Sequence, residues 1–443
     1  MTDDPSHLSI SYHALGAIST LSAALPSSTP WYAGFTQAPT RPDANGAGHT
    51  VAVIDTGFAL NHIGLSGSWA VNSREVGPTT IEGPAPNCSS RGLPLDKSCN
   101  NLDNDGNGYP SDWRGWDFVA GDNSPLAGTF NLASTIAFHG TFVAGLIAAA
   151  NQSGISGIAR GAKVLPLQAL DDNGDGTTDT IAEAVRYAAD MHVDVISLSL
   201  GSDSDDPYLD AQIDYALSKG IAVVAAAGNG GCDCMVYPAA LPEVVGVGAS
   251  DQSDLRASFS SYGSSLDLLA PGTAMCSTLW SAANQTSGYG CGGQGTSFAT
   301  PLVSGAIVAA LTAGAASTDL AIQSVMASAD KVSSMASNSR TDLYGVGRLD
   351  LSEALTAAAS KHYSISADLA MRFHCPGDVH TCSYAIGDQF GATVVISAKA
   401  PVTAGGEYVY LLPNGDNTTP GIKSLQPFGS AIHQPRIYVT FDP

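Results

Sequence analysis

Three side chains far apart in the sequence offer a carboxylate, an imidazole and a hydroxyl that could act together. Asp55 ends the apolar run Thr50-Val51-Ala52-Val53-Ile54 and is followed by the turn-forming pair Thr56-Gly57. His139 precedes a stretch of small apolar residues, Gly140 to Ala150, and Ser297 lies in Gly295-Thr296-Ser297-Phe298-Ala299-Thr300-Pro301. A serine hydroxyl is a poor nucleophile until a base takes its proton. Histidine, with a reference pKa of about 6.5, can take that proton near neutral pH and pass it to a leaving group. A carboxylate beside the ring fixes its tautomer and stabilises its cation. Asn229, in Gly228-Asn229-Gly230, is placed to donate its amide to an oxyanion. Taken singly these pieces are bland: Asp-Thr-Gly is a common turn, and a His before Gly is more often a cap or a core residue. The argument for acyl-transfer chemistry is their conjunction, each at the end of an element.

The elements that must position them alternate. After the strand ending at Asp55 come a helix at Gly140 to Ala150 and a strand at Ala162 to Leu170. A helix opened by a capping box at Thr180-x-x-Glu183 then runs to about Met191. Val193 to Leu200 reads as a buried strand, Pro207 to Lys219 as a helix stopped by Gly220, and Ile221 to Ala227 and Val244 to Ala249 as strands. Ser297 to Ala313 reads as a helix with Pro301 in its first turn. Strands alternating with helices predict a mainly parallel sheet covered on both faces. In such sheets ligands bind beyond the carboxyl ends of the strands. Asp55, Ser199-Leu200-Gly201 and Gly228-Asn229-Gly230 all end strands, while His139 and Ser297 open helices, so all five segments converge on one edge.

Around this unit the chain divides into an N-terminal extension (1–48), a main domain (49–358) and a C-terminal tail. The extension is rich in turns. Residues from about 64 to 134 are polar and read as an inserted surface segment. From 361 to 443, short runs such as Val394-Val395-Ile396 and Tyr408-Val409-Tyr410 between Gly, Pro and Asn turns predict a small β domain.

Composition narrows the partners. Of 443 residues 44% are hydrophobic and 13% charged, and the formal net charge of −22 excludes the basic surface that a nucleic-acid partner needs. No run approaches the roughly 18 uncharged apolar residues of a membrane span, so no insertion into a bilayer is expected. The opening Met1-Thr2-Asp3-Asp4-Pro5 lacks a basic n-region, so either the chain is cytosolic or a leader was removed before this numbering begins. Eight cysteines favour a secreted protein. Cys88 with Cys99, Cys276 with Cys291 and Cys375 with Cys382 form close couples among turn residues, as disulfide loops do. Cys232 pairs with Cys234 by elimination. Zinc is the rival for these thiols, although the C-x-C spacing is not its usual one.

The insertion holds the best metal candidate. Asp103-Asn104-Asp105-Gly106-Asn107-Gly108-Tyr109-Pro110-Ser111-Asp112 offers oxygen ligands at alternate positions, with Gly106 for a sharp turn. Asp103, Asp105, Asn107, Tyr109 and Asp112 are the candidate calcium ligands, Asp112 closing the shell where an EF-hand would have Glu. The plain alternative is an acidic, solvated turn.

Val53-Ile54-Asp55-Thr56-Gly57, His139-Gly140-Thr141-Phe142-Val143-Ala144-Gly145, Ala227-Gly228-Asn229 and Gly295 to Pro301 resemble the four signature segments of the subtilisin-like serine proteases, in the family's order. The resemblance covers about 50–355 and implies a three-layer α/β/α sandwich. It further implies a serine endopeptidase that forms an acyl-enzyme with an Asp55, His139 and Ser297 triad and uses Asn229 as an oxyanion donor. Protein or peptide substrates would lie between Ser199-Leu200-Gly201 and Ala226-Ala227-Gly228, with Val236 at the far end of the pocket for the residue before the scissile bond. A monomer is expected. Alternatives are a dedicated maturation protease or peptide ligase, and a catalytically silent binding protein. The chain departs from the family at Phe142, where a second His is frequent, and in the 84 positions between Asp55 and His139. The short loop Asn151 to Ile155 and the tail 361–443 are further departures.

Overall fold

The computed structural model describes residues 10–15, 17–22, 30–33, 44–84, 86–127, 138–150, 154–281, 286–335 and 340–359, together with six strands within 367–442. The N-terminal extension, read above as turns, opens with two strands, β1 (Ser11–Ala14) and β2 (Ala17–Ser22). Nothing local announces them, because their hydrogen-bonding partners lie far along the chain.

Seven strands build the central sheet: β3 (Thr50–Asp55), β4 (Trp116–Asp117), β5 (Lys163–Gln168), β7 (Val195–Leu198), β9 (Ala222–Ala226), β10 (Val245–Ser250) and β11 (Leu268–Pro271). They are parallel throughout, in the order β11-β10-β9-β7-β3-β5-β4. Helices α1 (His139–Ala148), α2 (Thr178–Asp190), α3 (Pro207–Ser218) and α4 (Thr296–Ala313) cover it. Val51 and Val53 of β3 enter one core with α1 and α4, while Ala52 and Ile54 enter the other with α2 and α3. A strand buried on both faces reads as an unbroken apolar run. Burial of each of Val51, Val53 and Ile54 contributes roughly 1.5–3 kcal/mol. The fold is therefore the expected α/β sandwich. After β3 the chain adds β5 on one side and β7 on the other, so a crevice opens beyond the carboxyl end of β3, at Asp55.

Three local expectations are corrected. The capping box of α2 lies one turn earlier than Thr180-x-x-Glu183. Thr177, still extended, is the N-cap, and its hydroxyl accepts from Thr180 N while the Thr180 hydroxyl accepts from Thr177 N. Secondly, α4 is itself an 18-residue uncharged helix with a mean hydropathy of 1.5, long and apolar enough to cross a bilayer by composition. It is buried almost end to end within the domain, so its apolar character is that of a core helix. Thirdly, the polar insertion is more than surface: β4 extends the sheet beside β5, and Trp69, Glu75, Asn100, Ser111 and Asp112 are buried.

Four further strands flank the crevice or cover α1. β6 (Asp175–Thr177) and β8 (Leu200–Gly201) lie at its rim, and β12 (Met275–Ser281) and β13 (Thr286–Gln294) form an antiparallel hairpin. Helices α5 (Thr318–Ala327) and α6 (Leu351–Ala359) pack on the core shared with α4. The tail contributes β14 (Ala367–Phe373), β15 (Thr381–Ala385), β16 (Thr393–Ala398), β17 (Glu407–Pro413), β18 (Leu425–Phe428) and β19 (Ile437–Asp442). They pair as two antiparallel three-stranded sheets, β14-β17-β18 and β15-β16-β19. Disulfides join Cys88 to Cys99, Cys232 to Cys234 and Cys276 to Cys291, which leaves zinc no thiolate at these six positions. Cys375, expected to pair with Cys382, lies outside the described residues.

Candidate active site

Asp55 is the last residue of β3 and His139 the first of α1, and both are fully buried. The two meet because α1 starts directly against the Asp55-Thr56-Gly57 turn. A Cβ on Gly140 would lie 2.5 Å from the Thr56 carbonyl oxygen, so a glycine must follow His139. Gly140 N donates to Thr56 Oγ1 at 3.0 Å. His139 Nδ1 thereby comes within 2.7 Å of Asp55 Oδ1, which also accepts from Thr56 N at 2.7 Å. A carboxylate only accepts, so Nδ1 carries the proton and Nε2 is left as the basic nitrogen. Nε2 is buried and makes no hydrogen bond. Phe298 tilts over the imidazole at 5.4 Å between ring centroids and fixes the plane of the ring.

Ser297 is the second residue of α4, and Pro301 lies inside the helix rather than in its first turn as expected. Proline has no N–H, so the carbonyl of Ser297, four residues back, loses its helical donor. The Ser199 hydroxyl supplies one instead, donating to Ser297 O at 2.8 Å, while Ser297 Oγ donates to Ser199 O at 2.9 Å. This reciprocal clasp ties the start of α4 to the end of β7. In this arrangement the Ser297 hydroxyl is bonded to Ser199 and not to His139.

Asn229 follows β9 on the turn Gly228-Asn229-Gly230. Its Oδ1 accepts from Thr296 N at 3.0 Å and from Thr296 Oγ1 at 3.1 Å. Both bonds fix the amide so that Nδ2 is the free donor. That donor and the backbone N–H of Ser297 meet on one atom, the carbonyl oxygen of Leu15, at 2.9 and 3.1 Å. A helix N-terminus and an amide aimed at one oxygen form a device for holding negative charge.

Leu15 is there because β1 lies in the crevice. The strand runs antiparallel between β6 and β8, with Ala14 N on Gly174 O at 2.9 Å and Leu15 N on Ser199 O at 3.1 Å. Downstream, β2 pairs with β13, Ala17 opposite Gln294 and Ile18 opposite Gly293. Residues 11–15 thus lie in the crevice in the extended form of a peptide, and Ala17–Ser22 form a strand on β13. Sequence reasoning missed this segment, and it also missed Thr296 and the carbonyl of Ser199 as supporting groups.

Of the remaining residues singled out from the sequence, Gly201 lies beside both Leu15 and Val236. Leu200 and Gly201 pair with Ala14 and His13. A Cβ on Gly201 would collide with Val236 and lie 3.1 Å from Leu15 Cδ1, so both side chains converge on the bare glycine. Val236 is buried, and its N–H bonds Ala227 O at 3.1 Å. Ala226 ends β9, Ala227 enters a small core with Leu266 and Met335, and Gly228 N donates to Thr296 Oγ1 at 3.2 Å.

The acidic loop is organised differently from the sequence expectation. Asp103 and Asp105 approach Glu75, not Asp112, with one carboxylate oxygen of each within 4.8 Å of the others. Glu75 comes from a 3₁₀ turn at Ser73–Glu75 and had no motif to mark it. Asp112 is committed elsewhere, accepting from Tyr187 Oη at 2.6 Å, Asn107 Nδ2 at 2.7 Å and Asn72 Nδ2 at 2.9 Å. Asn107 is likewise engaged, its Oδ1 accepting from Tyr109 N, and the Tyr109 ring packs on Trp116, Phe118 and Tyr187. Burial pushes the Glu75 carboxyl up against its bonds from Asn104, and Asp112 and Asp105 add like charge. Burial also raises Asp112 against its three donors. Three carboxylates offering hard oxygens this close together, Glu75 among them buried, fit a divalent cation.

A family model described as the subtilase family matches residues 46–347. The thermophilic serine proteinase of Bacillus sp. (strain AK1) is 42% identical over 223 residues, 50% of this chain and 52% of that protein. Thermitase of Thermoactinomyces vulgaris is 36% identical over 264 residues, 59% of this chain and 74% of thermitase. Subtilisin Savinase of Lederbergia lenta is 41% identical over 169 residues, 38% and 61% of the two chains. The matched span thus covers between about half and three quarters of these relatives.

Proposed function

The chain belongs to the subtilase family, and from that premise we propose that it is a secreted serine endopeptidase whose triad is Asp55, His139 and Ser297. The observation that carries this reading is the carbonyl of Leu15, held between Ser297 N and Asn229 Nδ2 on a strand lying in the crevice. A peptide bound in this way presents its carbonyl carbon beside the serine. Rotation of Ser297 about Cα–Cβ exchanges the Ser199 carbonyl for His139 Nε2 as acceptor of the hydroxyl proton. The oxygen then attacks the carbonyl carbon, and the proton passes to His139, whose cation Asp55 stabilises. The two donors hold the oxyanion, the imidazolium protonates the leaving amine, the C–N bond breaks, and water later releases the acyl group from Ser297.

Secretion is supported by the three bridges, since such bonds persist in oxidising compartments. The substrates are proteins or peptides, taken as extended strands between β6 and β8. Structural calcium, when bound, would neutralise the carboxylates of Glu75, Asp103 and Asp105; these three are the ligands the geometry favours. Asp112 would orient the loop through Asn107 and Asn72.

The bond between Leu15 and Gly16 is the first substrate on offer. Purified wild-type chain should acquire an amino terminus at Gly16, and Ser297→Ala should stay uncut there, as read by intact mass and terminal sequencing. A fluorophosphonate should label Ser297 alone. A Ser297→Ala protein that digests casein at the wild-type rate would overturn the assignment.

A further inference from the structure

The turn that carries Asn229 belongs to a closed excursion between β9 and Val236, whose ends are joined by the bond from Val236 N to Ala227 O. Two fixings hold its interior. On one side is Ser261, whose N–H donates to Gly228 O at 2.9 Å and whose hydroxyl accepts from Gly230 N at 3.1 Å. On the other is the disulfide between Cys232 and Cys234, which closes a tight ring around Asp233. Its sulfurs rest on the backbone directly after Asn229. A Cβ added at Gly230 would lie 2.9 Å from Cys234 Sγ and 3.2 Å from Cys232 Sγ, so the contact is with bare main chain. Cys234 Sγ is also 3.6 Å from Ser261 Oγ, and Cys232 O accepts from Tyr262 N at 3.0 Å, which joins the two fixings.

We infer that the Cys232–Cys234 bridge is a positioning element for Asn229: it presses Gly230 against Ser261 and so sets the direction of the Asn229 amide that donates at the reaction centre. This rests on the reading of Asn229 as an oxyanion donor and deepens it. The bridge touches no substrate atom and acts only through the main chain. A donor must point at the place where charge develops, and displacement by about 1 Å can cost up to a hundredfold. Without the bridge, Gly230, the most permissive of residues, keeps only the bond from its N–H to Ser261 Oγ, and the direction of the Asn229 amide rests on that bond and on Thr296.

Among the three described bridges it is also the most accessible. Cys232 and Cys234 are exposed, whereas Cys88, Cys99 and Cys276 are buried. A soluble dithiol should therefore open it selectively, its two thiols becoming a cyclic disulfide as Cys232 and Cys234 each gain a proton and an electron.

The experiment measures hydrolysis of a peptide substrate by the mature enzyme before reduction, after mild dithiothreitol treatment and after reoxidation, with mass mapping to show that only 232–234 has opened. The doubly substituted Cys232→Ser, Cys234→Ser enzyme is a second route without reductant. We expect kcat to fall roughly tenfold to a hundredfold with KM nearly unchanged, and reoxidation to restore it. The decisive arm repeats reduction in Asn229→Ala, where opening the bridge should leave kcat unmoved because the donor it positions is gone. An unchanged kcat in the reduced wild type, or the same fold-loss in Asn229→Ala as in wild type, overturns the inference. Failure of the underlying reading looks different: the unreduced Asn229→Ala enzyme would keep the wild-type kcat, whatever reduction does.

Discussion

The centre at Asp55, His139 and Ser297 and the acidic cluster at Glu75, Asp103 and Asp105 bury polar side chains by opposite means. At the first, each group sits at the end of a strand or the start of a helix, and the whole sheet determines where it lies. Its bonds are few and long-range: Asp55 to His139, Ser199 to Ser297, Asn229 to Thr296. Two of its polar atoms, Asp55 Oδ2 and His139 Nε2, are buried without a partner. At the second, Asp103 accepts from Gly106, Asn107 and Gly108 within five residues of itself, and Glu75 accepts from Asn104 and Asp105. A local turn satisfies Asp103 and one returning segment satisfies Glu75, yet carboxylates of like charge are crowded together. The reaction centre keeps unspent hydrogen-bonding capacity for a reacting molecule, whereas the loop keeps unspent negative charge for a cation. Damage to one should appear in rate, and damage to the other in stability.

The largest effect should come from Asn229→Ala. Loss of one oxyanion donor usually costs about 10²–10³ in kcat. KM should change little, because Leu15 shows the main-chain bonds of β6 and β8 to be available to a bound peptide without the amide. The melting temperature should fall only modestly, since the change orphans Thr296 N at the helix start while Ser297 N and Phe298 N keep their acceptors, Leu15 O and Gly295 O. Steady-state kinetics with a melting curve on the same sample tests this. A large fall in melting temperature with kcat within twofold of wild type would place Asn229 with the structural residues and break the contrast.

How far each region is legible in the sequence follows from how it is held. Asp55, His139, Asn229 and Ser297 sit in compact motifs because the close packing around each restricts its sequence neighbours: Gly140 must be bare against Thr56, Gly57 against Leu126, and Gly295 takes a φ of +150°. The sheet was equally readable, since β3, β7 and β9 are buried on both faces and carry unbroken apolar runs. What escaped is whatever depends on a distant partner. β1 and β2 are strands only because β6, β8 and β13 accept them. Glu75 joins Asp103 and Asp105 from nearly thirty residues upstream, and Ser199 becomes the donor to Ser297 only because Pro301 removes the helical one. Pattern within a window of sequence reports the first kind of constraint and is silent on the second.

A middle-sized effect is expected at the acidic loop. If a cation binds Glu75, Asp103 and Asp105 in the folded state alone, it adds stability by mass action, about 2.7 kcal/mol at a hundredfold excess over its dissociation constant. Chelation should lower the melting temperature and hasten self-digestion, and calcium should restore both. Glu75→Gln and Asp105→Ala should each weaken the calcium response, whereas Asp112→Asn should weaken it less, because Asp112 is already satisfied by Tyr187, Asn107 and Asn72. Initial rates of the surviving enzyme should remain unchanged. Identical melting curves in chelator and in calcium would remove the cation from this account. A response lost with Asp112→Asn but kept with Glu75→Gln would return the site to the ligand set read from the sequence.

The smallest effect expected is at Val236, where the contrast becomes one of degree. The side chain of Leu15 lies over Gly201, and the same empty position would be struck by Val236. Leucine therefore occupies the space that Val236 leaves, with the valine as its far wall. A larger aromatic in place of Leu15 would have to displace Val236, which is buried and tied to Ala227 through its own N–H. A methylene that does not fit changes discrimination by about 1–3 kcal/mol, so the wall should bias the choice without making it absolute. Leu, Met or Ala should be preferred over Phe or Trp at the residue before the cut bond, and Val236→Gly should shift the preference toward the aromatics. Asp203 and Asp205, exposed beside the same wall, could attract a basic side chain, whereas Asp206 is buried as the N-cap of α3; charges near solvent are screened by salt, so this preference should rank second and fade as ionic strength rises. Both proteins, profiled on one peptide library, decide the matter through the ratio of kcat/KM for Leu to that for Phe. Equal ratios would mean that Val236 yields to the incoming ring and that the pocket, unlike the oxyanion donors beside it, is shaped by whatever enters it.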